Sequence, residues 1–167
     1  MRYAKLLGMG LLIASLAAAG CSGKDKDGKS PSKDNGDHAA HGGGPNGGVV
    51  FDMGKYHAEL TVDHKKKEIY VLFLKEVKGK KEKDWPPEPV AAKEFTLTTK
   101  ETKVKEGEDK GKVVKPMEIK LTPREEKEGK ASKFVGSAPG LGNVADFEGT
   151  VVGEIDGKPS KGTFKEE

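Results

Sequence analysis

Apolar and polar side chains alternate along much of the chain after Val49. YHAELTV (residues 56–62) carries its tyrosine, alanine, leucine and valine at every second position, which is the period of a strand with one buried face. IYVLFL (69–74) is apolar throughout and predicts a strand covered on both faces. The polar DHKKK (63–67) between them predicts a turn, so we expect these two strands to pair antiparallel.

The alternating pattern returns in three later segments, which are EFTLTTK (94–100), VVKPMEIKL (113–121) and FEGTVVGEIDGKPSKGTF (147–164). Pro116 cannot donate to a strand ladder and therefore predicts an edge strand. Asp156-Gly157 predicts a two-residue hairpin turn in the last segment. The apolar residues that this turn places on one face are Phe147, Val151, Ile155 and Phe164. Glycines at 149, 153 and 162 on the same face leave room for aromatic rings.

The pattern as a whole predicts one all-β domain over residues 49–167. The proline-containing loop KEVKGKKEKDWPPEP (75–89) interrupts it, and Trp85 in this loop either folds back on the core or forms an exposed contact. No segment has a sustained helical period. Short strands separated by turns predict an antiparallel β-sandwich, with an immunoglobulin-like arrangement as one form of it.

Residues 1–20 have the features of a signal peptide. Two basic residues precede the apolar LLGMGLLIASLAAAG (6–20), which is shorter than the roughly 20 residues that a membrane span needs. The segment ends in AAGC, with Gly20 before Cys21, and this ending resembles the lipobox of bacterial lipoproteins. The resemblance implies lipidation of Cys21 and a membrane anchor formed by the N-terminal lipid. Ordinary secretory cleavage after Ala19 is the alternative.

The residues after the cysteine predict where and how the domain is held. Ser22 follows Cys21, and no aspartate stands there; by the same resemblance this favours the outer membrane, facing the periplasm. Residues 21–48 contain almost no apolar side chains and cannot offset the entropy of ordering. We therefore expect a lipid-anchored, disordered linker over residues 21–48.

The composition excludes several kinds of function. Lys and Arg number 30 and Asp and Glu 27, and removal of residues 1–20 lowers the formal net charge from +3 to +1, so nothing favours binding to nucleic acid. Cys21 is the only cysteine, so no disulfide within the domain can stabilise it. The sequence carries no nucleophile elbow, phosphate loop or zinc-protease helix motif. We therefore expect no enzymatic activity.

Four histidines, at positions 38, 41, 57 and 64, remain as candidates for metal chemistry. His57 is the one held by a predicted strand, Met53 lies just before Gly54, and His41 could close the site from the linker. Imidazole and thioether donors suit copper, and imidazole also suits zinc. We take His57, Met53 and His41 as a candidate copper or zinc site, the alternative being exposed histidines that bind nothing.

GPNGGVVFDMGKYHAELTVD (44–63) is similar to the opening of small planctomycete-type lipoproteins of unknown function. Their pattern is roughly G-P-H-G-G-x-[VL], a short gap and Y-H-A-E-L-x-x-D, and Asn46 stands here where the first histidine is usual. Residues 44–74 also resemble, more loosely, N-terminal segments of periplasmic adaptor subunits of heavy-metal efflux systems. The first resemblance implies a cell-envelope lipoprotein. The second implies that the alternative function, which is metal binding or delivery, is linked to efflux.

Together these features predict a lipid-anchored envelope lipoprotein that acts as a non-enzymatic binding or structural module, with an envelope protein as its partner. The alternative is a periplasmic protein that binds or delivers copper or zinc.

Overall fold

A computed structural model describes residues 43–166, and in them the alternating pattern forms strands. The strands, in chain order, are β1 (Val49–Met53), β2 (Tyr56–Asp63), β3 (Glu68–Leu74), β4 (Phe95–Thr99), β5 (Thr102–Lys103), β6 (Val113–Val114), β7 (Glu118–Arg124), β8 (Lys133–Ser137), β9 (Glu148–Ile155) and β10 (Lys158–Lys165). Short 3₁₀ helices cover Glu82–Asp84 and Pro139–Gly142. The predicted signal peptide (1–20) and residues 21–42 of the predicted linker lie outside the described residues.

Eight of the strands close into an antiparallel barrel, in the order β1-β10-β9-β4-β7-β8-β3-β2, while β5 and β6 form a separate two-stranded sheet. The all-β, antiparallel class is confirmed, including the predicted pairing of β2 with β3. The expected two-sheet sandwich is not what residues 43–166 form, because β1 pairs with β10 and the sheet closes on itself. The alternation of buried and exposed residues is the same in both architectures, so periodicity alone does not separate them.

The expected edge strand at Pro116 is absent from the described part of the chain. Pro116 precedes β7, and β7 pairs with β4 on one side and β8 on the other. The proline therefore lies where the chain enters the strand, and its missing N–H costs the ladder no hydrogen bond.

Aromatic rings fill the centre of the barrel, and glycines make room for them. The rings of Phe95 and Phe134 meet edge to face, with centroids 4.7 Å apart, a favourable arrangement of their quadrupoles. A Cβ at Gly153 would lie 2.4 Å from a ring carbon of Phe95, and one at Gly162 would lie 2.6 Å from a ring carbon of Phe51. The predicted use of these glycines is confirmed.

The segment from Trp85 to Glu94 crosses between strands that are distant in sequence. Pro87 bridges to Leu74 at the end of β3, and Val90 bridges to Ala131 just before β8. Val90 is buried in the core. The part of the loop from Trp85 onward is thus packed against the domain, although no regular strand runs through it.

No helix in residues 43–166 is long and apolar enough to cross a membrane.

The β9–β10 hairpin has the predicted turn and register. Ile155 pairs with Lys158 and Val151 with Gly162, and the four apolar residues predicted for one face are all buried. Asp156 and Gly157 both have positive φ, at 53° and 72°, as a type I′ turn requires. Tyr56 donates a hydrogen bond to the Asp156 carboxylate and is the main cause that lowers the pKa of this carboxyl.

Replacing Gly157 with valine should destabilise the domain by about 1–3 kcal/mol, because a β-branched residue is strained at this φ. The space around a Cβ at this position is open, so the cost comes from the backbone. Gly157→Asn is the matched control, since asparagine tolerates positive φ, and it should cost less. Chemical denaturation measures both, and equal stability of the valine variant and the wild type would contradict the expectation.

Candidate functional site

His57 lies on the outer face of β2, directly across from Asp52 on β1. Its Nδ1 is 2.8 Å from Oδ1 of Asp52, and its Nε2 is 3.6 Å from Oε2 of Glu76. The imidazole is therefore placed between two carboxylates. Of the three side chains, that of His57 is 23% exposed and that of Glu76 is 63% exposed, so the group is open to solvent on the Glu76 side.

The two-residue turn between β1 and β2 sets this geometry. Gly54 has a φ of 65°, which favours glycine, and the turn pairs Met53 with Tyr56 and Asp52 with His57. Residues that pair directly across antiparallel strands lie on the same face of the sheet. The Asp52 carboxylate therefore meets the imidazole because of strand register alone.

Trp85 covers the other side of the imidazole. The His57 and Trp85 ring centroids are 4.8 Å apart, with the planes tilted by 46°. Trp85 is buried and packs with Val50 and Leu74 in a small apolar cluster outside the barrel core. Its indole N–H is buried without a hydrogen-bond acceptor among the described residues, which is uncommon in folded proteins. The loop thus folds back over the outer face of the barrel.

A carboxylate on Nδ1 determines what the other imidazole nitrogen can do. A carboxylate this close to Nδ1 favours a proton on that nitrogen, which leaves the lone pair of the neutral ring on Nε2. Nε2 itself lies 3.6 Å from Oε2 of Glu76. The neutral imidazole can bind a cation through this lone pair. The protonated imidazole can instead donate a hydrogen bond to an anionic group.

The structure does not bring Met53 to His57. Met53 is fully buried in the barrel core, because it follows Asp52 on the strand and successive side chains point to opposite faces. The expectation that Met53 reaches His57 is therefore wrong. His41 lies outside the described residues. Within residues 43–166, no group of three or more His, Cys, Asp and Glu residues is arranged to hold a metal ion.

His64 lies away from this site, in the turn after β2. Its Nδ1 is 2.8 Å from the carbonyl oxygen of Leu141. The nearby Glu166 carboxylate accepts a hydrogen bond from the Phe147 N–H. Burial raises the pKa of Glu166, and the Phe147 N–H and the charge of His64 act in the opposite direction.

The glycine-rich residues 43–48, which we call the entry loop, belong to the folded domain. The Glu59 carboxylate is completely buried and accepts hydrogen bonds from the Asn46 N–H, the Asn46 side-chain amide and the Gly48 N–H, at 2.8, 2.8 and 2.9 Å. The expected linker boundary at residue 48 is therefore too late, because the loop supplies the donors that a buried carboxylate needs.

Close packing explains the glycines of the entry loop. A Cβ at Gly44 would lie 2.5 Å from the Glu59 carboxyl carbon, and one at Gly48 would lie 2.0 Å from the Leu60 carbonyl oxygen. Gly47 has a φ of 77°. The side-chain amide of Asn46 donates a hydrogen bond to Glu59.

In comparisons with protein-family models, curated proteins and solved structures, nothing matched this chain. The support for the candidate site therefore comes from its geometry.

Replacing Glu59 with glutamine should lower the free energy of unfolding by about 1–3 kcal/mol. The glutamine amide would present an NH₂ group to donors that need an acceptor, which leaves a buried donor unsatisfied. Glu118→Gln, which removes the same charge from an exposed position on β7, should change the free energy by less than about 0.5 kcal/mol. Chemical denaturation at neutral pH compares them, and equal effects would contradict the assigned role of Glu59.

Proposed function

We propose that the chain is a lipid-anchored cell-envelope lipoprotein whose barrel is a non-enzymatic binding or structural module. The observation that carries the proposal is Gly20-Cys21 directly after the apolar segment. The lipid on Cys21 anchors the protein to the outer membrane, facing the periplasm. More than one acyl chain is needed for stable anchoring, and the lipobox resemblance implies several.

The barrel suits a binding role because its rigid core holds outward side chains in fixed positions. Its interior is filled by aromatic and aliphatic side chains, so we place the binding surface on the outside of the barrel. The most distinctive polar group there is His57 with Asp52 and Glu76. An envelope protein that contacts this surface is the partner we propose.

Lipidation should depend on Cys21. Cells that express the chain are labelled with radioactive palmitate, and the wild type is compared with Cys21→Ala. The wild type should carry label and fractionate with membranes, and Cys21→Ala should do neither, because only the thiol can form the thioether. Equal labelling of the two proteins would refute the lipoprotein assignment.

The second function that we propose is binding or delivery of a transition-metal ion, copper or zinc, at His57. The Asp52 carboxylate, 2.8 Å from Nδ1, favours it, because metal-ligating histidines usually have such a group beside their other ring nitrogen. This function is compatible with a lipid anchor, since an anchored domain can hold or pass on an ion.

Isothermal titration calorimetry of the full-length chain with Zn²⁺ and Cu²⁺ measures this second function. We expect saturable binding that is lost in His57→Ala and retained in His64→Ala. Binding should weaken as the pH falls, because protons compete with the metal for the imidazole lone pair. Identical binding by wild type and His57→Ala would exclude His57 as the centre of the site.

A further inference from the structure

We infer that Nε2 of His57 and the carboxylate of Glu76 are the two protein ligands of an exchangeable divalent-metal site, with Asp52 as the positioning residue. The inference rests on the proposed metal function. It replaces Met53 and His41, the ligands expected beside His57, with Glu76. It names the ligand set, the class of ion and the state in which the ion is held.

The separation of the two donors is the first support. Zinc binds histidine nitrogen and carboxylate oxygen at roughly 2.0–2.2 Å with tetrahedral geometry, which places two donors about 3.3–3.6 Å apart. Nε2 of His57 and Oε2 of Glu76 are 3.6 Å apart. This distance is long for a hydrogen bond and lies at the upper end of the separation that a shared metal requires.

The other ring nitrogen has a different environment. Nδ1 lies 2.8 Å from the Asp52 carboxylate, a close contact between an ionisable ring and a carboxylate. A carboxylate in this position orients the ring and makes Nε2 a better donor. The two carboxylates therefore have separate roles, Asp52 through the ring and Glu76 at the metal.

The donor types define the ion. One imidazole nitrogen and one carboxylate oxygen suit divalent zinc or copper, whereas Cu(I) is selected by thiolates and thioethers. Met53, the thioether that lies nearest in sequence, is buried in the core. The site should therefore take Zn²⁺ and Cu²⁺ in preference to Cu(I).

Two protein ligands leave the remaining coordination positions to water or to donors of another molecule. Glu76 is at the exposed side of the group, at the start of the loop after β3, so an incoming molecule can reach the ion. An ion held in this way exchanges readily, which fits delivery better than storage.

Trp85 provides a fluorescent reporter close to this site. It is the only tryptophan in the chain, and its ring centroid is 4.8 Å from that of His57. Bound Cu²⁺ quenches the fluorescence of an indole at such short range. Zn²⁺, which has a filled d shell and no redox chemistry, should compete for the site with little quenching of its own.

The test is titration of the full-length chain with Cu²⁺ while Trp85 fluorescence is recorded, followed by reversal with Zn²⁺. The variants are Glu76→Gln, Asp52→Asn and Asp84→Asn. Asp84 is exposed and next to Trp85 in sequence, so Asp84→Asn is a control with the same loss of charge. Thermal melting confirms that each variant folds.

We expect saturable quenching in the wild type and in Asp84→Asn. The apparent affinity should fall by about ten-fold or more in Glu76→Gln and by about ten-fold in Asp52→Asn. Unchanged quenching in Glu76→Gln would overturn the inferred ligand set, while calorimetric binding that still requires His57 would leave the second proposed function standing. Absence of both quenching and calorimetric binding in the wild type would overturn the two together.

Discussion

The pairing of β1 with β10 is the constraint on which the rest of the structure depends. It joins the beginning and the end of the domain, with Met53 opposite Gly162 and the rings of Phe51 and Phe164 6.0 Å apart inside the barrel. Closure leaves this sheet without an open edge and gives every strand one inner and one outer face. Because the two strands are far apart in sequence, this contact carries a large loop-closure entropy and requires almost the whole domain to be present.

Closure also separates the apolar side chains of β1 from its polar side chain. The inner face contributes Phe51 and Met53 to the core, while the outer face presents Asp52 beside His57. A one-residue slip in register would exchange these faces, placing a carboxylate in the core and a methionine at the surface. The stability of the barrel and the geometry of the candidate site therefore depend on the same strand register.

The sequence predicts the parts of the fold that depend on local patterns. The period of two identified the main strands, and Asp156-Gly157 identified a hairpin whose register follows directly from the turn. Closure of the sheet depends on contacts between distant residues, which the period does not encode.

The candidate site could be predicted only in part. His57 was identifiable on its strand, and Asp52 could have been found from the short Gly54-Lys55 turn. Glu76 and Trp85 could not, because the path of a long proline-rich loop depends on the surface it covers. The role of Glu59 was missed because its position in the alternation predicts exposure, whereas the entry loop supplies hydrogen bonds to its carboxylate.

The entry loop has a mechanical consequence. A pull that enters the described domain at residue 43 acts first on residues 43–48, which precede β1 in the chain. There the Glu59 carboxylate holds the Asn46 and Gly48 backbone through separate hydrogen bonds, while Gly43 bridges to Val49. Tension is thus shared between Val49 at the start of β1 and the middle of β2, a strand paired on both sides. The first strand of the barrel therefore shares such a load with its neighbour and does not carry it alone.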